Sequence, residues 1–112
     1  MLFLDNYSDV FYIMKKEEEI FEQLKTIFDP EIPIDIVELG LIYDVSLEEN
    51  FCNILMTLTS AWCPVAQDMP VWVKEAAMKV EGVHDCEVNV TFDPPWSSEH
   101  ISYVGKLELG LL

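Results

Sequence analysis

Apolar residues recur at helical spacing through Ile20, Phe21, Leu24, Ile27 and Phe28, while Glu17, Glu18, Glu22 and Lys25 take the polar positions. This stripe predicts an amphipathic helix over residues 15–28, opened by the solvated cluster Lys15-Lys16-Glu17-Glu18-Glu19. Asp29-Pro30 stops it, because proline disfavours α conformation in the residue before it. A loop with Pro30 and Pro33 follows, and Gly40 supplies a turn conformation that other residues resist. Leu41, Tyr43, Val45 and Leu47 then alternate with Ile42, Asp44 and Ser46, the period of a strand. After the turn Glu48-Glu49-Asn50, Cys52, Ile54, Met56 and Leu58 alternate again, so the two runs predict an antiparallel hairpin with Cys52 in the core.

Val65, Met69, Trp72, Ala76 and Val80 return to helical spacing, and Gly82 is the expected stop. Pro70 leaves two arrangements open. An interior proline removes a backbone hydrogen bond and costs about 3 kcal/mol, whereas one in a first turn is tolerated. Either the helix kinks there, or the regular helix begins there and the preceding residues form a turn. A third strand is expected over residues 87–92, with Val88, Val90 and Phe92 facing one way. Asp93-Pro94-Pro95-Trp96 breaks it, and residues 101–109 suit a short terminal helix before Gly110.

The order is thus helix, strand, strand, helix, strand and a short tail. Strand–helix–strand crossovers join parallel strands. The expected fold is α+β: a two-layer domain with a small mixed three-stranded sheet and helices on one face. Leu24 and Ala76 should pack over a sheet that buries Val45, Ile54, Met56, Leu58, Val88 and Val90. Residues 1–14 show no clean period and are expected to be an extension, dispensable for folding, outside a single domain at 15–112. A docking arm, a loose terminus and the product of a start codon upstream of Met14 all fit that stretch.

Composition narrows the function classes. The chain of 112 residues suits one domain, and 51% apolar residues suffice for a core without disulfide staples. The net charge is −15, from 21 acidic and 6 basic residues, and arginine is absent. Phosphate recognition needs clustered basic groups, so nucleic acid is an unsuitable partner. No apolar run approaches a membrane span and no basic signal-peptide start is present, so no membrane role is expected. Cys52, Cys63 and Cys86 cannot all pair within the chain and form no C-x-x-C, which predicts a reducing, cytoplasmic compartment.

Candidate chemistry centres on Cys63. It lies where a strand hands over to a helix, near unpaired backbone N–H groups and a positive dipole end, both of which favour thiolate. Thiolate attacks electrophiles and binds soft metals. Free cysteine is equally a common apolar filler, and spacing alone does not separate these readings. Asp29 and Glu31 are close enough in sequence for a carboxylate pair, although a helix-ending Asp beside an exposed Glu explains them too. His84 reads as a solvated turn residue. His100 can form a dyad with Cys63 only if the tail folds back. No Gly-rich phosphate loop, H-E-x-x-H or nucleophile elbow is present.

The stretch from Asp29 to Tyr43, DPEIPIDIVELGLIY, resembles the opening signature of the iron–sulfur cluster assembly family that includes SufT, the PaaD-like proteins and the eukaryotic cytosolic iron–sulfur targeting factors. Residues 57–66, TLTSAWCPVA, are similar to the second signature, which carries the family's cysteine. Val90-Thr91-Phe92-Asp93-Pro94-Pro95-Trp96 resembles the third, and Lys106-Leu107-Glu108-Leu109-Gly110 the tail. The resemblance runs in order from about residue 17 to the end. Trp62 departs from the Gly or Met often found before the cysteine, which narrows the expected access to the thiol.

The resemblance implies the iron–sulfur assembly fold and a non-enzymatic role in maturing iron–sulfur proteins. That role is carrying clusters, or docking the assembly machinery to recipient apoproteins. It implies that Cys63, Thr59, Ser60, Asp29 and Glu31 line one pocket, with Cys63 as the metal ligand of a transient iron–sulfur cluster. A cluster takes four protein thiolates and one chain offers one plausible ligand, so a homodimer with added small thiols, or brief holding during transfer, is required. Two alternatives stand beside this role: an accessory subunit of a multicomponent oxygenase, as in the PaaD-like branch, and a thiol enzyme using Cys63 and His100.

Overall fold

The structure is a computed structural model that describes residues 2–30, 32–59 and 68–111. Helix α1 spans Leu2–Leu24. Strands β1 (Ile42–Glu48) and β2 (Phe51–Met56) follow. Helix α2 spans Met69–Met78, β3 spans Asp85–Val90, a 3₁₀ turn covers Ser98–His100 and helix α3 spans Tyr103–Glu108. β2 is central: it pairs antiparallel with β1 and parallel with β3 across the α2 crossover. The mixed three-stranded α+β architecture expected from the element order is therefore present.

The alternation along β2 sorts its residues. Cys52, Ile54 and Met56 are buried beneath the helices together with Leu58, while Phe51 and Leu55 are exposed on the other face. Val45 and Leu47 of β1 join the buried face, and Ile20, Leu24, Val73, Ala76 and Ala77 pack over it from α1 and α2. A two-residue turn, Glu49-Asn50, joins β1 to β2, with Glu49 at φ 54°. A bulge between Ile42 and Asp44 interrupts the ladder. It re-aims Tyr43, whose hydroxyl donates to the Pro94 carbonyl at 2.8 Å.

Four expectations need correction. Helix α1 ends at Leu24 rather than Phe28. The Thr26 hydroxyl folds back to donate to the Gln23 carbonyl at 2.6 Å, and Phe28 instead bridges Asp35 as extended chain. The same helix begins at Leu2, so the stretch without a clean period is helical, and Ile13 packs against the core. The third strand starts two residues earlier than expected and leaves out Phe92, which is exposed. Val90, expected in the core, is 37% exposed, and Val88 is half-buried. Both lie on β3, which among the described residues is an edge strand flanked by β2 alone, and Val90 occupies its last register row opposite Met56.

Pro70 sits in the first turn of α2, where its missing N–H has no partner to lose. The regular helix thus starts at Met69; the residues before Asp68, on which the two arrangements differ, lie outside the described residues. Helix α2 ends at Met78, and Gly82 follows in the left-handed region at φ +97°. A Cβ on Gly82 would lie 2.7 Å from the Tyr12 hydroxyl oxygen, so the glycine also lets α1 approach this turn.

Candidate functional site

The segment from Asp29 to Leu41 packs against the carboxyl end of β2, and a relay of backbone hydrogen bonds fixes it there. Ile36 N–H donates to the Ile27 carbonyl (3.0 Å), Leu41 N–H to the Ile36 carbonyl (3.0 Å), and Thr57 N–H to the Leu41 carbonyl (2.8 Å). Asp29 is 5% exposed, and its Oδ1 accepts from Ile32 N–H at 3.0 Å, closing the turn after Pro30. Asp35 caps the next turn: its Oδ1 accepts from the N–H groups of Val37 and Glu38, both at 3.0 Å. Each short carboxylate satisfies backbone donors that a loop would otherwise leave unpaired.

The tail wraps the same segment from the other side. Trp96 Nε1–H donates to the Leu39 carbonyl at 2.8 Å. The Ser102 hydroxyl donates to Glu38 Oε2 at 2.9 Å, and Ser102 N–H to the Glu38 carbonyl at 2.8 Å. Gly105 is buried so closely that a Cβ there would lie 2.9 Å from Ile101 Cγ2 and 3.1 Å from Ile34 Cδ1. Gly40, at φ +84°, faces the backbone of His100, whose carbonyl carbon would be 2.8 Å from an added Cβ. Sequence reading missed Trp96, Ser102, Glu38 and Gly105 as positioning residues. The small residue at Gly105, within an otherwise helical tail, was the available signal.

Thr57 was missed as well. Its side chain is 0% exposed, and among the described residues its Oγ1 has no hydrogen-bond partner. It stands at the start of the second signature, two positions before the half-buried Thr59. Of the expected site residues, Asp29 and Thr59 are described, and the relay brings the Asp29 segment to the strand end that leads into Thr59. Glu31, Ser60 and Cys63 lie outside the described residues. So does the strand-to-helix junction on which activation of Cys63 was argued; α2 itself begins at Met69.

The two histidines are held locally. His84 is exposed, and its N–H donates to the Asn50 carbonyl at 2.8 Å. His100 Nδ1 accepts from Ser97 N–H at 3.0 Å, and the ring stacks on Tyr43 with centroids 5.8 Å apart. Among the described residues, no group of three or more His, Cys, Asp and Glu is placed to hold a metal ion. No helix among them is long and apolar enough to cross a membrane.

Residues 17–90 match the family described as iron-sulfur cluster assembly protein. The chain belongs to that family. The family match takes in α1 from Glu17 onward, the Asp29–Tyr43 segment and the whole sheet. Among relatives, the chain is 41% identical over 96 residues to the Fe-S protein maturation auxiliary factor YitW of Bacillus subtilis (strain 168), covering 85% of this chain and 94% of that one. It is 40% identical over 86 residues to the Fe-S protein maturation auxiliary factor SufT of Staphylococcus aureus (strain USA300), covering 76% and 98%. The crystal structure of a DUF59 domain from Bacillus anthracis superimposes with a TM-score of 0.82 at 39% identity, covering 92% of this chain and 99% of that one.

Proposed function

We propose that this chain is a non-enzymatic maturation factor for iron–sulfur proteins, which delivers clusters or docks the assembly machinery to recipient apoproteins through Cys63. The observation that carries the reading is the convergence of the signatures. The Asp29–Tyr43 segment is tied to the second signature by Thr57 N–H on the Leu41 carbonyl, to the third by Trp96 on the Leu39 carbonyl, and to the tail by Ser102 on Glu38. Residues far apart in sequence thus brace one loop beside the strand end that leads to Cys63. The maturation role of the relatives YitW and SufT, alike over most of their length, supports the same reading.

The cluster is cargo in this scheme. One thiolate per chain holds it only in transit, with the remaining iron positions filled by a second copy, small thiols or the recipient. Thr59 and Ser60 are suited to hydrogen-bond the Cys63 sulfur or a cluster sulfide, contacts of the kind that tune a metal site. Asp29 contributes by fixing the neighbouring turn through Ile32 N–H. The acidic surface suits partners with basic docking faces and keeps the factor off nucleic acid.

The test is complementation in cells lacking the native protein. Cys63→Ser should fold normally yet fail to support iron–sulfur enzyme activity. Anaerobic incubation of wild-type protein with iron and sulfide should give thiolate-to-iron absorption bands that the variant lacks. Full rescue by Cys63→Ser would remove the thiol from the mechanism and leave docking alone.

A further inference from the structure

Cys52 and Cys86 stand directly opposite each other on the parallel strands β2 and β3. Both side chains point to the covered face, Cys52 fully buried and Cys86 3% exposed. Neighbouring strands lie about 4.8 Å apart, within the roughly 4.4–6.8 Å Cα separation that disulfides span. Cys86 also lines a groove of about 560 Å³ between the first turns of α2 and the free edge of β3, shared with Pro70, Val71 and Lys74. Of the two residues, Cys86 is the one that lines this groove.

We propose that Cys52 and Cys86 form a second thiol site, independent of Cys63: a dithiol that hydrogen peroxide converts to a disulfide. The register sets the two side chains close enough for the thiol of one to bond the thiolate of the other, so they titrate as a pair. That bond pulls the Cys86 thiol below its ordinary value against the effect of burial; Lys74 lowers it further and Asp85 opposes. The same bond, burial and the Glu17 carboxylate on α1 hold the proton on Cys52. Cys86 lines the groove and Cys52 is fully buried, so Cys86 is the nucleophile and Cys52 is placed to resolve its product.

In the first step the Cys86 thiolate attacks one peroxide oxygen. The S–O bond forms, the O–O bond breaks, and the distal oxygen leaves as hydroxide, taking the proton Cys86 had released to become water. Cys86 is then a sulfenic acid. The Cys52 sulfur attacks it; the S–S bond forms, the S–O bond breaks, and the departing oxygen takes the Cys52 proton to leave as a second water. Two thiols and one peroxide give one disulfide and two waters, with the sulfurs oxidised and the peroxide oxygens reduced. A small uncharged oxidant suits a nearly buried sulfur on a chain of charge −15, which repels anionic disulfides. The product would tie the edge strand β3 covalently to the sheet centre.

The experiment treats the Cys63→Ser chain, which keeps only these two thiols, with hydrogen peroxide under native conditions. Cys63→Ala replaces it if serine disturbs folding, and peptide mapping of the wild-type chain gives the same readout. The expected result is a mass loss of two hydrogen atoms, a linked peptide containing Cys52 and Cys86, and reversal by dithiothreitol. Adding Cys52→Ser should stop the reaction at a Cys86 sulfenic acid that dimedone captures, whereas adding Cys86→Ser should slow oxidation by about tenfold or more at neutral pH. Survival of both thiols in the folded chain, under peroxide that oxidises them in urea, overturns the proposal. So does dimedone labelling of Cys52 as readily as Cys86.

Discussion

Replacing Thr57 by valine removes one oxygen from the core and almost nothing else. The side chain is fully buried, and among the described residues Oγ1 has no hydrogen-bond partner. The backbone contact from Thr57 N–H to the Leu41 carbonyl is independent of the side chain. A buried hydroxyl without a partner forfeits its hydrogen bonds to water, a penalty of about 1–3 kcal/mol. Valine has nearly the same shape and the same β-branched rotamer restriction, so neither a cavity nor a new entropy term offsets the gain. Thr57→Val should therefore stabilise the fold by about 1 kcal/mol, taking the lower end of that range. In urea the midpoint should rise by about 0.5 M with the slope unchanged, and the melting temperature by about 4–8 °C. A midpoint that falls by a comparable amount would refute the reasoning, because it would mean the hydroxyl is bonded in solution. If the variant is more stable yet supports iron–sulfur enzyme activity poorly in cells, the hydroxyl is kept for the site at a cost to the fold.

Met56→Ala empties a fully buried position at the sheet centre and should cost about 2–5 kcal/mol in chemical denaturation; a loss well under that range would place Met56 outside the core. Trp96→Phe keeps an aromatic ring but deletes the pyrrole ring with its Nε1–H donor to Leu39, and should cost about 1 kcal/mol or more while loosening the Asp29–Tyr43 segment in amide exchange. Unchanged exchange in that segment would show that the tail does not brace it. A chain starting at Met14 loses the Ile13 packing and the Tyr12 approach to Gly82, and should lose about 1 kcal/mol, read as a drop of several degrees in melting temperature. An unaltered melting temperature would restore residues 1–14 to the dispensable extension that their irregular pattern suggests.

Local periodicity carried much of this architecture. The period-two run Cys52, Ile54 and Met56 is buried throughout β2, because residues of one strand face share one environment; beyond the strand the alternation stops, and Thr57 and Leu58 are both buried. The single intervening helix made β2 and β3 parallel, and Pro70 marked one of the two places where the regular part of α2 could begin. The Asp29–Tyr43, Thr57–Ala66 and Val90–Trp96 stretches were legible as family signatures, which named the function class without any geometry. Other features depend on what a residue meets across the fold. The exposure of Val90 follows from the edge position of β3, which alternation along one strand does not encode. Helix α1 runs through residues with no clean period, so its extent was not readable from hydrophobic pattern. The bracing of Leu39 by Trp96 and of Glu38 by Ser102 joins positions far apart in the chain. Cys52 was expected in the core, whereas Cys86 lay just outside the expected third strand and was assigned no place. Only the register of the parallel pair, which neither strand's pattern states without the other, set the two residues opposite each other.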